Sequence, residues 1–178
     1  MKLERPDKAP IIDMECVKAK HINLSDYKGK KILLSFFRDT VCPFTNIWLD
    51  GLVQNESFYE KHNLAVIGVF NDSPVKVINS INSRNLNFPI IADETLDVYS
   101  EYGIETSKYG RAKSFLKFRN IKKLISYRGS KGSSKCSILP AEFLIDEQGL
   151  IHTAHYGTDY ADHIRTTDII KWIKKIKL

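Results

Sequence analysis

The sequence predicts an α/β fold, a three-layer sandwich in which a mixed β-sheet is covered by helices on both faces. Three observations lead to this prediction. Strand-like and helix-like segments alternate along residues 30–103, a hairpin pattern follows at residues 141–157, and the last segment is an amphipathic helix. Strands joined through helices pair in parallel and need cover on both faces, whereas a hairpin adds antiparallel strands.

The first strand and the first helix lie on either side of Cys42. The run "KKILLSFF", from Lys30 to Phe37, is short and almost continuously apolar, which is typical of a buried strand. From Pro43 the apolar residues recur at helical spacing, and proline suits the first turn of a helix. We therefore expect the chain to pass from strand to helix at Cys42.

The next segments repeat the alternation of strand and helix. "LAVIGVF", residues 64–70, predicts a second buried strand. "VKVINSINSRN" predicts a helix that buries Val75, Ile78 and Ile81 on one face. "FPIIAD", residues 88–93, predicts a short third strand, and "ETLDVYSEYG" a helix that ends at its glycine.

The C-terminal part of the chain predicts a hairpin and a closing helix. "AEFLID" and "LIHTAHYG" are strand-like runs joined by a turn through Gly149. "TTDIIKWIKKIK" is a helical pattern with four isoleucines on one stripe. These are Ile169, Ile170, Ile173 and Ile176.

Length and charge indicate one domain with a basic insert. A chain of 178 residues, 43% of them hydrophobic, suffices for one core, so we expect a single domain over residues 1–178. Ten Lys and Arg residues and no acidic residue lie between Lys108 and Lys135, while the whole chain has a net charge of only +6. We expect a helical insert at about 105–137 that packs on the domain or forms a homodimer contact. Alternatively, the insert contacts an anionic membrane surface, a phosphate-bearing partner, an anionic thiol such as glutathione or, least favoured, nucleic acid.

Other features argue against several classes of protein. No secretory signal opens the sequence, and no run approaches the roughly 18 apolar residues of a membrane span, so we expect a cytoplasmic protein. Three cysteines are too few for a disulfide framework. His152 and His155 are three residues apart on a predicted strand and point to opposite faces, so we expect neither a metal nor a cofactor.

Cys42 is the best candidate for a nucleophile. At the start of a helix, backbone N–H groups and the positive end of the helix dipole favour a thiolate over a thiol. Arg38 adds a nearby positive charge if the turn folds back, whereas Asp39 acts in the opposite sense. The alternative is a small, buried structural cysteine without chemistry.

Three stretches carry a resemblance to a known family. "LLSFFRDTVCPFTN", "FPIIADET" and "LPAEFLIDEQGLIHTAHYGTDYADH" resemble the peroxiredoxin-like branch of the alkyl hydroperoxide reductase/thiol-specific antioxidant family, within the thioredoxin-fold superfamily. The resemblance covers residues 23–164. It implies a thioredoxin-like fold and a thiol-dependent oxidoreductase that reduces peroxides through Cys42.

The resemblance also assigns a role to Pro140. Members of the superfamily place a cis-proline beside the nucleophilic cysteine, so we expect a cis Leu139–Pro140 bond, for which only X-Pro bonds are suited. The alternative is an ordinary trans proline that opens an edge strand.

The departures from the family pattern bear on mechanism. In "CPFT", Thr45 replaces the second cysteine of Cys-x-x-Cys, so it either donates a hydrogen bond to the Cys42 sulfur or packs in the first helical turn. In the family's Pro-x-x-x-Thr-x-x-Cys pattern, this chain has Ser35 and Asp39. The arginine that orients the peroxide in the family has two candidates here, Arg38 and Arg128.

Regeneration of an oxidised Cys42 needs a second thiol. Cys16, Cys136 and an external thiol, either glutathione or a thioredoxin-like protein, are the candidates, and we expect the external one. Glu142 either accepts a proton near the cysteine or faces solvent. Two other functions stay open at this point: a non-catalytic binding protein of the same fold and a monothiol disulfide reductase.

Overall fold

The computed structural model describes most of the chain outside the basic insert. The described residues are 1–17, 21–82, 84, 86–104 and 138–175. The insert predicted at about 105–137, with Arg128 and Cys136, lies outside them, so its predicted helix and contacts stay predictions.

A five-stranded mixed sheet forms the centre of the structure. Before it, β1 and β2 pair as a small antiparallel hairpin. The central strands stand in the order β5-β4-β3-β6-β7, with β3, β4 and β5 parallel and β6 antiparallel to both β3 and β7. The strands are β1 (Asp13–Glu15), β2 (His21–Asn23), β3 (Lys31–Phe37), β4 (Leu64–Phe70), β5 (Ile90–Ala92), β6 (Ala141–Ile145) and β7 (Ile151–Tyr156).

Helices cover both faces of this sheet. One face packs against α1, α2 and α4, and the other against α3 and the N-terminal segment. The helices are α1 (Pro43–Lys61), α2 (Pro74–Ile81), α3 (Asp97–Glu101) and α4 (Thr166–Lys175), with a short 3-10 helix at Leu24–Tyr27. The predicted three-layer arrangement is confirmed.

Strand β3 shows why its sequence is continuously apolar. Leu33 and Phe37 pack into the core on the α1 face, whereas Leu34 and Phe36 pack into the core on the α3 face. Successive side chains of a strand point to opposite faces, so a central strand with cover on both sides needs apolar residues at nearly every position. The end of this strand is therefore held firmly just before Cys42.

The buried face of α2 differs from the sequence prediction. Ile81 is buried as predicted, but Val75 is 66% exposed, and Val77 is buried in its place. Val77 and Ile81 are four residues apart and share one face of the helix, whereas Val75, two residues before Val77, lies on a different face. The hairpin of β1 and β2 was also not predicted, because three-residue strands carry too little periodicity to be recognised.

Tyr59 gives a testable prediction about the α1 core. Its hydroxyl is buried without a hydrogen-bond partner among the described residues, and burial raises its pKa to about 12. We expect Tyr59→Phe to raise the free energy of unfolding by up to about 1 kcal/mol, because the desolvated hydroxyl is removed. Tyr99→Phe is the matched control in urea denaturation: the Tyr99 hydroxyl bonds the carbonyls of Phe37 and Val69, so its loss should destabilise. A destabilised Tyr59→Phe would contradict the prediction.

None of the helices in the described part of the chain combines the length and apolar character needed to cross a membrane.

Candidate active site at the Cys42 turn

Cys42 lies between the end of β3 and the start of α1. It is the N-cap residue of α1, in an extended conformation, and Pro43 occupies the first helical turn as predicted. The backbone N–H of Asn46 donates to the Cys42 carbonyl at 3.1 Å. The helix thus begins directly behind the cysteine, which is a free thiol. Unpaired N–H groups at this position stabilise negative charge.

The Cys42 side chain is 3% exposed and belongs to a small buried cluster of its own. Phe44 and Tyr160 are buried with it, and Leu139 and Ala161 pack against them. Residues 139 and 160–161 flank β6 and β7, more than 90 positions along the chain from Cys42. Tertiary structure therefore brings the Pro140 segment to the cysteine, as the sequence resemblance implied.

The predicted cis conformation of Pro140 is wrong. The cis bond found in the described residues is Arg5–Pro6, and Leu139–Pro140 is trans. Pro140 precedes the first paired residue of β6, where no N–H is required, and its carbonyl accepts the N–H of Gly157 at 2.9 Å. The alternative prediction of a trans proline is right about the bond. It is wrong about the strand, because β6 is an internal strand of the sheet and not an edge strand.

Arg38 lies at the cysteine turn, as predicted. Its guanidinium carbon is 4.3 Å from the centroid of the Tyr160 ring, and its Nε is 3.2 Å from Oδ2 of Asp39. Tyr160 in turn packs with Cys42. The structure thus places a cation over an aromatic ring that packs with Cys42. That Arg38 orients a peroxide stays a prediction.

Asp39 is a buried carboxyl in the same turn. It is 3% exposed, and its Oδ1 accepts the N–H of Val41 at 3.1 Å. Burial raises the pKa of this carboxyl, and Asp72 raises it further. The Arg38 guanidinium and the N–H groups of Val41 and Cys42 lower it by less, so the pKa stays above its usual range.

The raised pKa of Asp39 makes stability depend on pH. The pKa of Asp39 is higher in the folded protein than in the unfolded chain, where it is about 4, so the folded protein binds this proton more tightly. The contribution of Asp39 to stability is therefore full below about pH 4 and is lost as the pH rises through the folded-state pKa. An asparagine holds no titratable proton. We therefore expect Asp39→Asn to be more stable than the wild type at pH 7, with the difference disappearing near pH 4. Thermal unfolding at both pH values measures this, and a destabilised variant at pH 7 would refute it.

A set of side chains fixes the backbone around Cys42. The Thr40 N–H and hydroxyl donate to Oδ2 of Asp72, at 3.0 and 2.9 Å. Asn46 Nδ2 donates to the carbonyls of Thr40 and Cys42, at 3.2 and 3.0 Å. Arg84 Nη2 then donates to Oδ1 of Asn46 at 2.7 Å. These partners hold the turn from three parts of the chain: the loop between β4 and α2, the first turn of α1, and the segment after α2.

The sequence prediction missed Asp72, Asn46 and Arg84. Asn46 gave a weak signal, because it is an amide side chain among mainly apolar residues in the first turns of α1. Asp72 and Arg84 gave none, since their partners lie more than 30 positions away along the chain.

The structure shows where Thr45 and Ser35, two further residues considered in the sequence analysis, lie around the Cys42 turn. Thr45 is buried in the first turn of α1, so its hydrogen bond to the sulfur stays a prediction. Ser35 accepts a hydrogen bond from Nε1 of Trp48 at 3.0 Å.

Cys16 is a buried free thiol in the core on the α3 face of the sheet, where its backbone forms an isolated antiparallel β-bridge with Ile91. It therefore does not belong to the buried cluster of Cys42.

Glu142 faces the α1 side of the sheet and is fully buried, so its solvent-facing alternative is wrong. One oxygen bonds Nδ1 of His163 at 2.6 Å, and the other accepts the N–H of Ile164 at 3.0 Å. The His163 ring stacks on Trp48 with centroids 4.9 Å apart. Glu142 thus fixes the segment that follows Tyr160. Its partners are His163 and Ile164, which leaves its catalytic alternative without support.

Within the described ranges, no group of three or more histidine, cysteine, aspartate or glutamate residues could hold a metal ion. His155, one of the histidines considered from the sequence, bonds the Asp162 carbonyl through Nε2 at 3.1 Å.

The central sheet is mixed, and a free cysteine occupies the N-cap position of the helix that follows its central strand. This arrangement is that of a thiol-containing protein of thioredoxin fold. The chain belongs to the AhpC/TSA family, whose family model matches residues 6–154. Peroxiredoxin Bcp of Escherichia coli (strain K12) is 25% identical over 173 residues, which is 97% of each chain.

Solved structures agree on the fold. Peroxidoxin BcpB from Mycobacterium tuberculosis superposes with a TM-score of 0.73 at 12% identity and covers 99% of each chain. A thioredoxin family thiol:disulfide interchange protein from Chlorobium tepidum TLS has a TM-score of 0.59 at 18% identity, covering 95% of this chain and 97% of that one. The predicted fold and family are confirmed.

Proposed function

We propose that this protein is a peroxiredoxin-like thiol peroxidase in which Cys42 is the nucleophile. Membership of the AhpC/TSA family and a relative named as a peroxiredoxin support a thiol peroxidase. The observation that supports Cys42 is its position as a free thiol at the N-terminus of α1. A thiolate there attacks one peroxide oxygen, becomes a sulfenic acid and releases water or an alcohol.

We infer that an external thiol, either glutathione or a thioredoxin-like protein, reduces the sulfenic acid. Thr45 excludes a disulfide within the "CPFT" motif, and Cys16 lies in the core of the opposite sheet face. Because Cys42 is 3% exposed, a peroxide reaches it only when Phe44 or Tyr160 moves aside.

Peroxide consumption with dithiothreitol as the reductant tests the proposal. We expect turnover by the wild type and by Cys16→Ser, and none above background by Cys42→Ser. After one equivalent of peroxide, intact mass should increase by one oxygen atom, localised to the Cys42 peptide. Wild-type turnover equal to that of Cys42→Ser would overturn the function. A loss of two hydrogens would instead replace the external thiol by an internal disulfide.

A further inference from the structure

The two oxygens of the Asp39 carboxylate differ in their surroundings. Oδ1 accepts the Val41 N–H. Oδ2 is buried and accepts no hydrogen bond; Arg38 Nε lies 3.2 Å away as an ion-pair partner, but not in hydrogen-bond geometry. A buried oxygen with a free lone pair is costly as an ionised acceptor and well suited to hold a proton.

The carboxylate also lies at the reacting end of α1. The Asp39 backbone carbonyl accepts the Cys42 N–H at 3.4 Å, and the Cys42 N–H also acts on the Asp39 carboxylate. A carboxyl group can accept and return a proton, which the hydroxyl group of a threonine does not do at ordinary pH. An aspartate here changes what the turn can do with a proton.

We propose that Asp39 carries the proton of the Cys42 thiol to the leaving oxygen of the peroxide. This role rests on the proposed peroxidase function and deepens it. The Asp39 carboxylate takes the S–H proton, and the thiolate attacks the terminal oxygen of ROOH. The S–O bond forms as the O–O bond breaks, so the sulfur loses two electrons and the peroxide gains them. The leaving RO⁻ takes the proton from Asp39 and departs as ROH, which restores the carboxylate.

Two other carboxylates near this turn, those of Asp72 and Glu142, are less suited to the role. Oδ2 of Asp72 accepts both hydrogen bonds from Thr40. Both oxygens of Glu142 are occupied by His163 and Ile164. Arg38, Asp72 and Cys42 are the titratable or charged groups that act on or lie beside Asp39 in this turn. Asp39 combines a free oxygen with a position beside the cysteine.

The test compares two peroxides that differ in leaving group. Cumene hydroperoxide releases a strongly basic alkoxide, which needs a proton, whereas peracetic acid releases a weakly basic carboxylate, which does not. In single-turnover oxidation at pH 7, followed by mass spectrometry of the Cys42 peptide, we expect Asp39→Asn to slow the reaction with cumene hydroperoxide about 100-fold. The reaction with peracetic acid should change less than about 3-fold, since proton donation to the leaving group contributes little there.

A second measurement separates proton transfer from loss of the thiolate. The pH profile of alkylation of Cys42 by iodoacetamide should not shift upward in Asp39→Asn, because a negative charge near the sulfur is removed. Asp39→Ala serves as the second variant if the asparagine protein folds poorly. Asp72→Asn is the matched control: it loosens the same turn and should slow both peroxides by one common factor.

The outcomes separate the role of Asp39 from the function itself. Equal slowing of both peroxides in Asp39→Asn, or no slowing of either, overturns the proton-transfer role while the peroxidase function stands. A wild-type Cys42 that reacts with both peroxides no faster than free cysteine overturns the function and this role together. A loss confined to cumene hydroperoxide supports the role.

Discussion

Replacing Glu142 by alanine is expected to lower the free energy of unfolding by about 3–5 kcal/mol. The carboxyl is fully buried between β3 and β7, and it bonds Nδ1 of His163 and the N–H of Ile164. Its removal leaves both of these groups buried without their partner and opens a cavity in the sheet face. The measurement is urea denaturation followed by Trp fluorescence, since Trp48 stacks on His163.

Glu56→Ala is the matched control for this prediction. Glu56 is also a buried glutamate, on α1, but its described partner is the Asn87 side chain at 3.1 Å, which can turn to water. We expect Glu56→Ala to lower the free energy of unfolding by about 1 kcal/mol. We also expect Glu142→Ala to speed the alkylation of Cys42, because the segment after Tyr160 loses its attachment to β6. A loss of stability no larger than that of Glu56→Ala would show that the Glu142 contacts contribute little.

Replacing Asn46 by alanine is expected to slow the oxidation of Cys42 by peroxide about 10- to 100-fold. The Asn46 side chain bonds the carbonyls of Thr40 and Cys42 and accepts from Arg84, so it fixes the backbone on both sides of the nucleophile. Small displacements of a reacting group reduce rates strongly. Stopped-flow oxidation by cumene hydroperoxide measures the effect. The free energy of unfolding should also fall by about 1–3 kcal/mol, because the Thr40 and Cys42 carbonyls lose their side-chain donor and Arg84 loses one of its three acceptors.

Asn55→Ala provides a closely matched control on the same helix. Asn55 Nδ2 donates to the carbonyl of Gly51, four residues earlier, just as Asn46 Nδ2 donates to that of Cys42. Because this bond lies far along α1 from the cysteine, the oxidation rate should stay within about 2-fold of the wild type, without the loss expected from misplacing a reacting group. If Asn46→Ala folds and reacts as fast as Asn55→Ala, the position of the turn does not depend on Asn46.

The sequence by itself determined the fold class and the position of the nucleophile. Continuous apolar runs predicted β3 and β4, the change of period at Pro43 predicted α1, and Gly149 predicted the hairpin of β6 and β7. These signals are local, since hydrophobic period and turn chemistry act within a few residues. The same local signals placed Cys42 at the start of a helix, and the resemblance added the family.

Only the tertiary structure decided what surrounds the cysteine. Asp72, Asn46 and Arg84 meet at the Cys42 turn because the sheet order brings the ends of β3 and β4 together, and no local pattern encodes that. The Leu139–Pro140 bond is trans, and the Pro140 carbonyl pairs with the Gly157 N–H, a contact that the sequence motif does not contain. The sequence shows only that residue 39 is an aspartate. The tertiary structure buries its side chain and leaves one carboxyl oxygen without a hydrogen bond.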